Sequence, residues 1–297
     1  MSLAGKPCPA WLLSLSCLNF LSSGALRSAA AQEPPYLVTY SDVLEEPGNL
    51  EIATQNLGAA PKDTNPFYAG TLELEYGITA WWTAEAYLQG QATRNDSTTL
   101  TGFRIENRFR PLRESHILNP VLYLEYEDTN SADRSFLEVT GNHTIQDLQV
   151  PNKLLRQDVE RSVEGKLILS SYYRGTNFSG NFIAEKNISN EPWEFGYALG
   201  ASHPLANLAS YRACRFCRQY FAVGGELFGG LGTRYTFGTG GTAQYAGPTV
   251  AYSAPRNLTV IFGPEFGLNQ NSATVLWRLK VAYEINQFRD LFRRGAR

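Results

Sequence analysis

The chain has no excess of basic residues, and its long apolar run is confined to the first segment. Its 297 residues include 26 Lys and Arg against 28 Asp and Glu, with one Met and three His. A nucleic-acid-binding domain would normally carry a clear basic excess, so we expect no nucleic-acid partner. Beyond the first segment no run reaches about 18 apolar residues, which excludes membrane-spanning helices.

The first segment has the three parts of a secretory signal peptide. Lys6 lies in a short leader, an apolar run covers about residues 11–21, and three alanines at 29–31 precede Gln32. We predict a signal peptide over residues 1–31 and a single domain over residues 32–297. Export places that domain outside the cytoplasm.

Catalytic constellations are also scarce. His116, His143 and His203 fall in three different connections and lack the spacing of a metal or acid–base site. Carboxylates are plentiful, but they recur at every second position, where solvation or ion pairing explains them more simply than hydrolysis does. We therefore predict no enzyme activity, no metal and no cofactor.

Cys214 and Cys217 form the local motif CRFC. In an exported chain with no second C-x-x-C and no βαβ context, a redox centre or half of a zinc site is disfavoured. We expect a disulfide between these two cysteines.

What the chain contains in abundance is an alternation of period two. In LTGFRIENRFR, residues 100–110, charged side chains take every second position and mostly apolar ones lie between them. About twelve such segments follow one another, most of ten or more residues. Strands in soluble proteins usually have about 5 to 6 residues, whereas a tilted membrane strand needs roughly 9 to 11.

The pattern predicts an all-β fold, an antiparallel transmembrane β-barrel of about 12 strands, with 10 to 14 possible. A long external segment is expected at about residues 128–160. Aromatic residues at the segment ends favour the membrane. A soluble periplasmic β-sandwich, with the phenylalanines in its core, is the alternative fold.

Seven stretches carry a family resemblance: EEPGNLEI, LELEYGITAWWTAEAYL, FRIENRFR, NPVLYLEYED, KLILSS, NFIAEKN and PWEFGYALG. They resemble poorly characterised bacterial porin-like barrels, similar to proteins associated with the phenol meta-cleavage pathway. The resemblance implies a β-barrel in the bacterial outer membrane. In one departure, NQFRDLFRRGAR follows Ile285, where such barrels commonly end on a strand with a terminal aromatic residue.

Strands paired in sequence order would bring opposite charges together on the inner face, at roughly 0.2 to 1 kcal/mol per cross-strand pair. We predict that this charge ladder is first of all structural. Its members are Glu51, Glu73, Glu75, Glu85, Arg104, Glu106, Arg108, Arg110, Glu125, Glu127, Lys166, Glu265, Arg278 and Lys280.

Acids outnumber bases on these faces, so we expect a narrow channel for small solutes that mildly prefers cations. A non-conducting barrel, acting as a scaffold or a surface-binding module, is the alternative function. The expected partners are outer-membrane lipid, the barrel-assembly machinery and small solutes.

Overall fold

Twelve antiparallel strands close into a barrel in the computed structural model, which describes residues 34–61, 64–189, 191–208 and 218–294. Each strand pairs with its sequence neighbours, and β12 pairs with β1, so the prediction of an all-β, twelve-stranded antiparallel barrel is confirmed. The strands are β1 Leu50–Ala59, β2 Phe67–Thr79, β3 Trp82–Thr93, β4 Thr98–Phe109, β5 Asn119–Asn130, β6 Val159–Tyr173, β7 Thr176–Asn187, β8 Glu194–Pro204, β9 Phe221–Thr233, β10 Gln244–Ala254, β11 Leu258–Gly267 and β12 Val275–Ile285.

The remaining elements are short. Helices α1 Asn152–Leu155 and α2 Phe288–Arg294 accompany the 3-10 turns Ile145–Gln149, Leu205–Leu208 and Arg218–Tyr220. No helix among the described residues is long and apolar enough to cross a membrane. The predicted signal peptide and the Cys214–Cys217 pair lie outside the described residues, and both stay predictions.

The wall is apolar on its outer face, and its inner face carries most of the polar and charged side chains. In β5 the side chains of Leu122 and Leu124 are each 52% exposed on the outside, whereas Tyr123 and Glu125 between them are buried inside. The other strands alternate in the same sense, because successive side chains of a strand point to opposite faces. A soluble sandwich would bury the leucines, so that alternative fold is wrong.

The two ends of the barrel differ in their connections. At one end, called the turn end, β1 begins, β12 ends, and the connections 80–81 and 174–175 have two residues each. At the opposite end, called the loop end, residues 131–158 leave the wall between β5 and β6. We call these residues the long loop.

Aromatic side chains gather where the outer face meets the turn end. The rings of Trp82 and Phe109 stack at 5.9 Å, and Trp81 lies 6.2 Å from Trp82. Amphipathic rings of this kind favour the boundary between hydrocarbon and water. The placement fits an outer face covered by lipid.

We predict that Leu124→Arg lowers the free energy of unfolding in phospholipid vesicles by roughly 2–4 kcal/mol, because it puts a charge near the middle of the apolar band. Urea titration of vesicle-embedded protein measures it. Ile117→Arg is the control, since Ile117 is 91% exposed in the connection between β4 and β5 and should tolerate the charge. Equal, small effects of both changes would contradict a lipid-covered wall.

Candidate functional site: the occupied lumen

Among the residues that the structure describes, two segments that are not strands fill the lumen. The first is residues 34–49, called the N-terminal segment, and the second is the long loop. Both bond to inward side chains of the wall. Between them remains a cavity of about 50 Å³, which borders residues 36–41 on one side and Leu137 on the other.

The N-terminal segment crosses from one wall to the other. The Tyr36 hydroxyl donates to Oδ1 of Asn177 on β7 at 2.7 Å. The Tyr40 amide donates to Oδ1 of Asn181, whose Nδ2 donates back to the Tyr40 carbonyl. The Tyr40 hydroxyl then reaches Glu106 on β4 at 3.1 Å. Side chains of the wall thus hold the segment across the lumen.

Glu226 on β9 is the strongest anchor of this segment. Its buried carboxylate accepts the backbone N–H groups of Leu37, Val38 and Thr39 at 2.8, 3.0 and 2.6 Å. Hydrogen bonds to a carboxylate are stronger than neutral ones, and three donors compensate much of its desolvation. The anchor therefore depends on backbone geometry rather than on a basic partner.

Part of the long loop, which lies within the segment expected to be external, is inside the barrel. Residues 134–141 of the long loop pack inside the wall, and they form no strand there apart from one bridge between Gly141 and Gly232. The loop end of the lumen is lined with polar groups that bind the loop: Ser135 accepts from Gln89 at 2.8 Å, and the carbonyl of Phe136 accepts from Arg278. The sequence pattern did not show this inward fold because it has no period.

Glu138 is the point at which the long loop joins the charge ladder. It accepts from Arg104 Nη1 at 2.8 Å and from Lys166 Nζ at 3.2 Å. Burial opposes ionisation of its carboxyl, but Lys166 and Arg104 outweigh burial and lower the pKa of Glu138 to about 2. The loop thus supplies an ionised carboxylate to two cations of the wall.

The first half of the predicted ladder is assembled on β2 to β6. Arg104 also contacts Glu125 at 3.3 Å and Glu127 at 3.2 Å, both on the following strand. Arg108 contacts a different set: Glu75, Glu85 and, at 3.3 Å, Glu106. Lys166 contacts Glu164 at 2.8 Å.

The second half lies at the closure of the barrel. Arg278 contacts Glu265 at 2.6 Å, and Lys280 lies 3.2 Å from both Glu51 and Glu73. Arg110 stands apart from the ladder. It lies one residue beyond β4, and its Nη2 donates to the carbonyl of Ala80 at 2.9 Å, because the wall ends there.

Within the part of the chain that the structure describes, two clusters of carboxylates are compact enough to hold a metal ion: Glu51, Glu73 and Glu75, and Glu125, Glu138 and Glu164. Lys280 contacts two members of the first group, and Lys166 contacts two members of the second. Ion pairing with these lysines accounts for both groups.

Acids outnumber bases on the inner face of the described strands. Five cations, Arg104, Arg108, Lys166, Arg278 and Lys280, stand among fourteen carboxylates: Glu51, Glu73, Glu75, Glu85, Glu106, Glu125, Glu127, Glu160, Glu164, Glu185, Glu194, Glu226, Glu265 and Glu284.

Three of these carboxylates, Glu127, Glu160 and Glu185, line a vestibule of about 380 Å³ at the loop end, beside the long loop. Two of its carboxylates bind hydroxyls of that loop: Glu160 accepts from Ser131 at 2.6 Å, and Glu185 accepts from Thr140 at 2.7 Å. Acidic side chains outnumber basic ones in the vestibule. The acidic residues that line it are Glu127, Asp133, Glu138, Asp147, Glu160 and Glu185, and the basic ones are Arg104, Arg134 and His143.

The comparisons with known proteins return only distant likenesses. No protein-family model matches the chain, and no curated protein matches it. Among solved structures, the KdgM porin in complex with disordered oligogalacturonate has a TM-score of 0.47 and 6% identity, over 79% of this chain and 98% of that chain. An outer membrane channel from Pseudomonas putida F1 has a TM-score of 0.49 and 11% identity, over 81% and 97%. LpxR from Salmonella typhimurium has a TM-score of 0.41 and 8% identity, over 78% and 99%. Similarity this distant transfers no activity to the chain.

Sequence reasoning missed the residues that fill the lumen. Tyr40, Glu138 and the 37–39 backbone have no periodic pattern around them, and Glu226 looks like any other inward acid. One feature of the sequence could have indicated the inserted N-terminal segment, namely the stretch PPYLVTY before the first strand. It is apolar and aromatic at a position where an exposed linker would be polar.

We predict that Arg108→Ala lowers the free energy of unfolding in detergent by roughly 3–5 kcal/mol, because it leaves three buried carboxylates without their cation. Arg104→Ala should behave alike. Arg161→Ala is the matched control: Arg161 pairs with Asp128 at 2.9 Å but is 60% exposed, so solvent screens the pair and its loss should change stability little. Thermal melting in one detergent compares the three, and equal melting temperatures would disprove the ladder.

A second prediction concerns the contact between His143 of the long loop and Glu194 of β8, which we call the latch. His143 Nε2 lies 3.4 Å from Glu194, and this hydrogen bond is the main cause that raises the pKa of His143 to about 9. A raised pKa stabilises the fold fully below the ordinary value of about 6.5, and that stabilisation disappears as the pH rises through 9. The wild type should therefore lose its advantage in melting temperature over His143→Gln between pH 6 and pH 10. An advantage that stays constant would contradict the latch.

Proposed function

We propose that the protein is an outer-membrane channel for small solutes that prefers cations and is closed at rest by the N-terminal segment and the long loop. One observation carries the proposal: the lumen is filled by segments that are not part of the wall. Non-covalent bonds hold them there, so they can withdraw without breaking the pairing of the twelve strands with one another. The bridge between Gly141 and Gly232 would be lost.

A rigid scaffold would be built differently. Small closed barrels fill their interior with side chains of their own strands, whereas larger ones leave a lumen. Here the twelve strands leave space for two backbone segments. Many of the groups that bind them are carboxylates, amides and hydroxyls, to which water can also bond. Apolar contacts of Val38 and Val139 with inward side chains add to these bonds. Withdrawal of the segments would expose a lumen that water can fill. This favours a channel over the non-conducting alternative.

The excess of inner carboxylates supports the preference for cations. An acidic entrance concentrates counter-ions and repels anions, and the low-dielectric wall strengthens the effect. Glu160 and Glu185 are placed to act on an entering ion, because they face the vestibule and bind hydroxyls of the long loop. The loop end then faces the cell exterior, as longer loops do in such barrels.

We predict single-channel steps in planar bilayers and a reversal potential of cation-selective sign under a KCl gradient. Glu160→Gln/Glu185→Gln should move the reversal potential toward zero, because it removes two vestibule charges. Asp128→Asn is the matched control, since Asp128 bonds to Arg161 on the outer face and should leave selectivity unchanged. Selectivity for anions would refute the cation preference, and a complete lack of steps would favour the scaffold.

A further inference from the structure

The ladder between β10 and β11 has a gap in the middle of the wall. Pairing between the two strands stops after Ala246↔Phe266 and resumes at Val250↔Phe262. Three positions of each strand therefore do not pair with the other strand, although they pair with β9 and β12 on their other sides. The pairs on both sides of the gap have the same register, so position 248 of β10 lies opposite position 264 of β11. The two strands stay next to each other here but do not share the regular hydrogen bonds of the barrel.

The cause is a pair of prolines. Pro248 and Pro264 occupy the facing positions, and proline has no N–H to donate to a ladder. Glycines on the same strands allow the backbones to touch: a Cβ on Gly247 would collide with the carbonyl oxygen of Pro264, and one on Gly263 would collide with that of Pro248. Opening the wall here would break fewer hydrogen bonds than opening a fully paired seam.

An apolar groove of about 1110 Å³ extends along the outer face from β6 to β10, and its edge reaches the gap at Gly247, Pro248 and Phe266. Small residues such as Gly180, Ala201 and Gly225 form its floor. Large apolar side chains and one proline of the gap surround it: Leu169, Phe178, Leu199, Leu227, Phe266 and Pro248. In a membrane this groove opens to hydrocarbon, and it has room for a small molecule beside the gap.

On the inner side, the N-terminal segment covers the same place. Leu37 packs with Ala222, Ala251 and Ile261, and its Cδ1 lies 3.0 Å from the point where a Cβ of Gly263 would be. The bond from the Leu37 amide to Glu226 fixes that position. Withdrawal of the segment would uncover the gap from within.

The lumen beside the gap is apolar, in contrast to the charged face of β2 to β6. Inward side chains of β8 to β10, β12 and β1 form a core inside the barrel that includes Ala198, Phe228, Tyr245, Leu276 and Leu57. Val38 and Val139, one from each inserted segment, fill its centre. Polar groups border it, namely Glu226 and the Arg278–Glu265 pair. Once the inserted segments move, this surface would lead from the loop end toward the gap.

We propose that the gap between β10 and β11 is a lateral exit, through which small, largely apolar molecules pass from the lumen into the hydrocarbon core of the membrane. Leu37 is its inner cover, and the outer groove receives the molecule. The proposal rests on the proposed channel function, and it adds a second route, for molecules that the charged side of the lumen does not suit.

The first test restores the ladder. Pro248→Val/Pro264→Val returns two backbone donors and keeps apolar side chains on the outer face. The probe is N-phenyl-1-naphthylamine, which fluoresces on entering a bilayer, added to cells whose intact outer membrane excludes it. Wild-type protein should accelerate the fluorescence rise. The variant should slow this protein-dependent rise about tenfold, as two additional hydrogen bonds across the exit would do.

Leu72→Val/Leu88→Val is the matched control, because these residues face each other on the outer side of β2 and β3 and line no part of the groove. It should retain the wild-type rate. A disulfide between Ala246→Cys and Phe266→Cys closes the exit by a second means, in a chain with Cys214 and Cys217 replaced by serine. Uptake should stop on oxidation and return on reduction.

The proposal is overturned if the wild type does not accelerate uptake, or if uptake is unchanged by both the valine pair and the disulfide. Conductance in planar bilayers is measured on the same variants and should stay at the wild-type level. If the wild type showed no cation-conducting steps, the proposed channel function would be contradicted instead. Failure of the lateral exit and failure of the channel can thus be distinguished.

Discussion

Charge buried inside a closed wall is the constraint on which the rest of this structure depends. When two-faced strands close with their apolar side outward, every ionised group on the other side enters a confined space, where an unpaired charge is costly. Arg104, Arg108 and Lys166 each contact several carboxylates, because the acids outnumber them. The long loop extends this network with Glu138. Wall and loop therefore share one electrostatic unit.

The same constraint explains how the lumen can be filled and still be opened. The N-terminal segment satisfies Glu226 with backbone N–H groups, for which water is a natural substitute. The inward amides and hydroxyls that hold it are equally compatible with water. A filled state and a hydrated state of the lumen thus use the same wall, and this is the physical basis of a channel closed by its own chain.

Local alternation made the wall predictable, and distance along the chain made its contents unpredictable. The period of two in residues 100–110 defined both faces of β4, and pairing in sequence order then placed Arg104 beside Glu127. Glu226 binds backbone groups 187 to 189 residues away, and a backbone N–H has no sequence signature. Glu138 lies in a loop whose course inside the barrel follows from the shape of the lumen. Only the fold shows either contact.

The claim that the N-terminal segment closes the lumen is tested most directly by the single-channel conductance of a chain in which residues 36–42 are replaced by Gly and Ser at the same length. This change keeps all twelve strands and removes the side chains of Tyr36, Leu37 and Tyr40 that hold the segment. Glu226→Ala is added in the same chain, because its carboxylate binds backbone N–H groups that Gly and Ser would leave in place. If the segment closes the lumen, this chain has a larger single-channel conductance than the wild type, and its channel stays open for most of the recording. Conductance and open time equal to those of the wild type would show that the segment does not close the lumen.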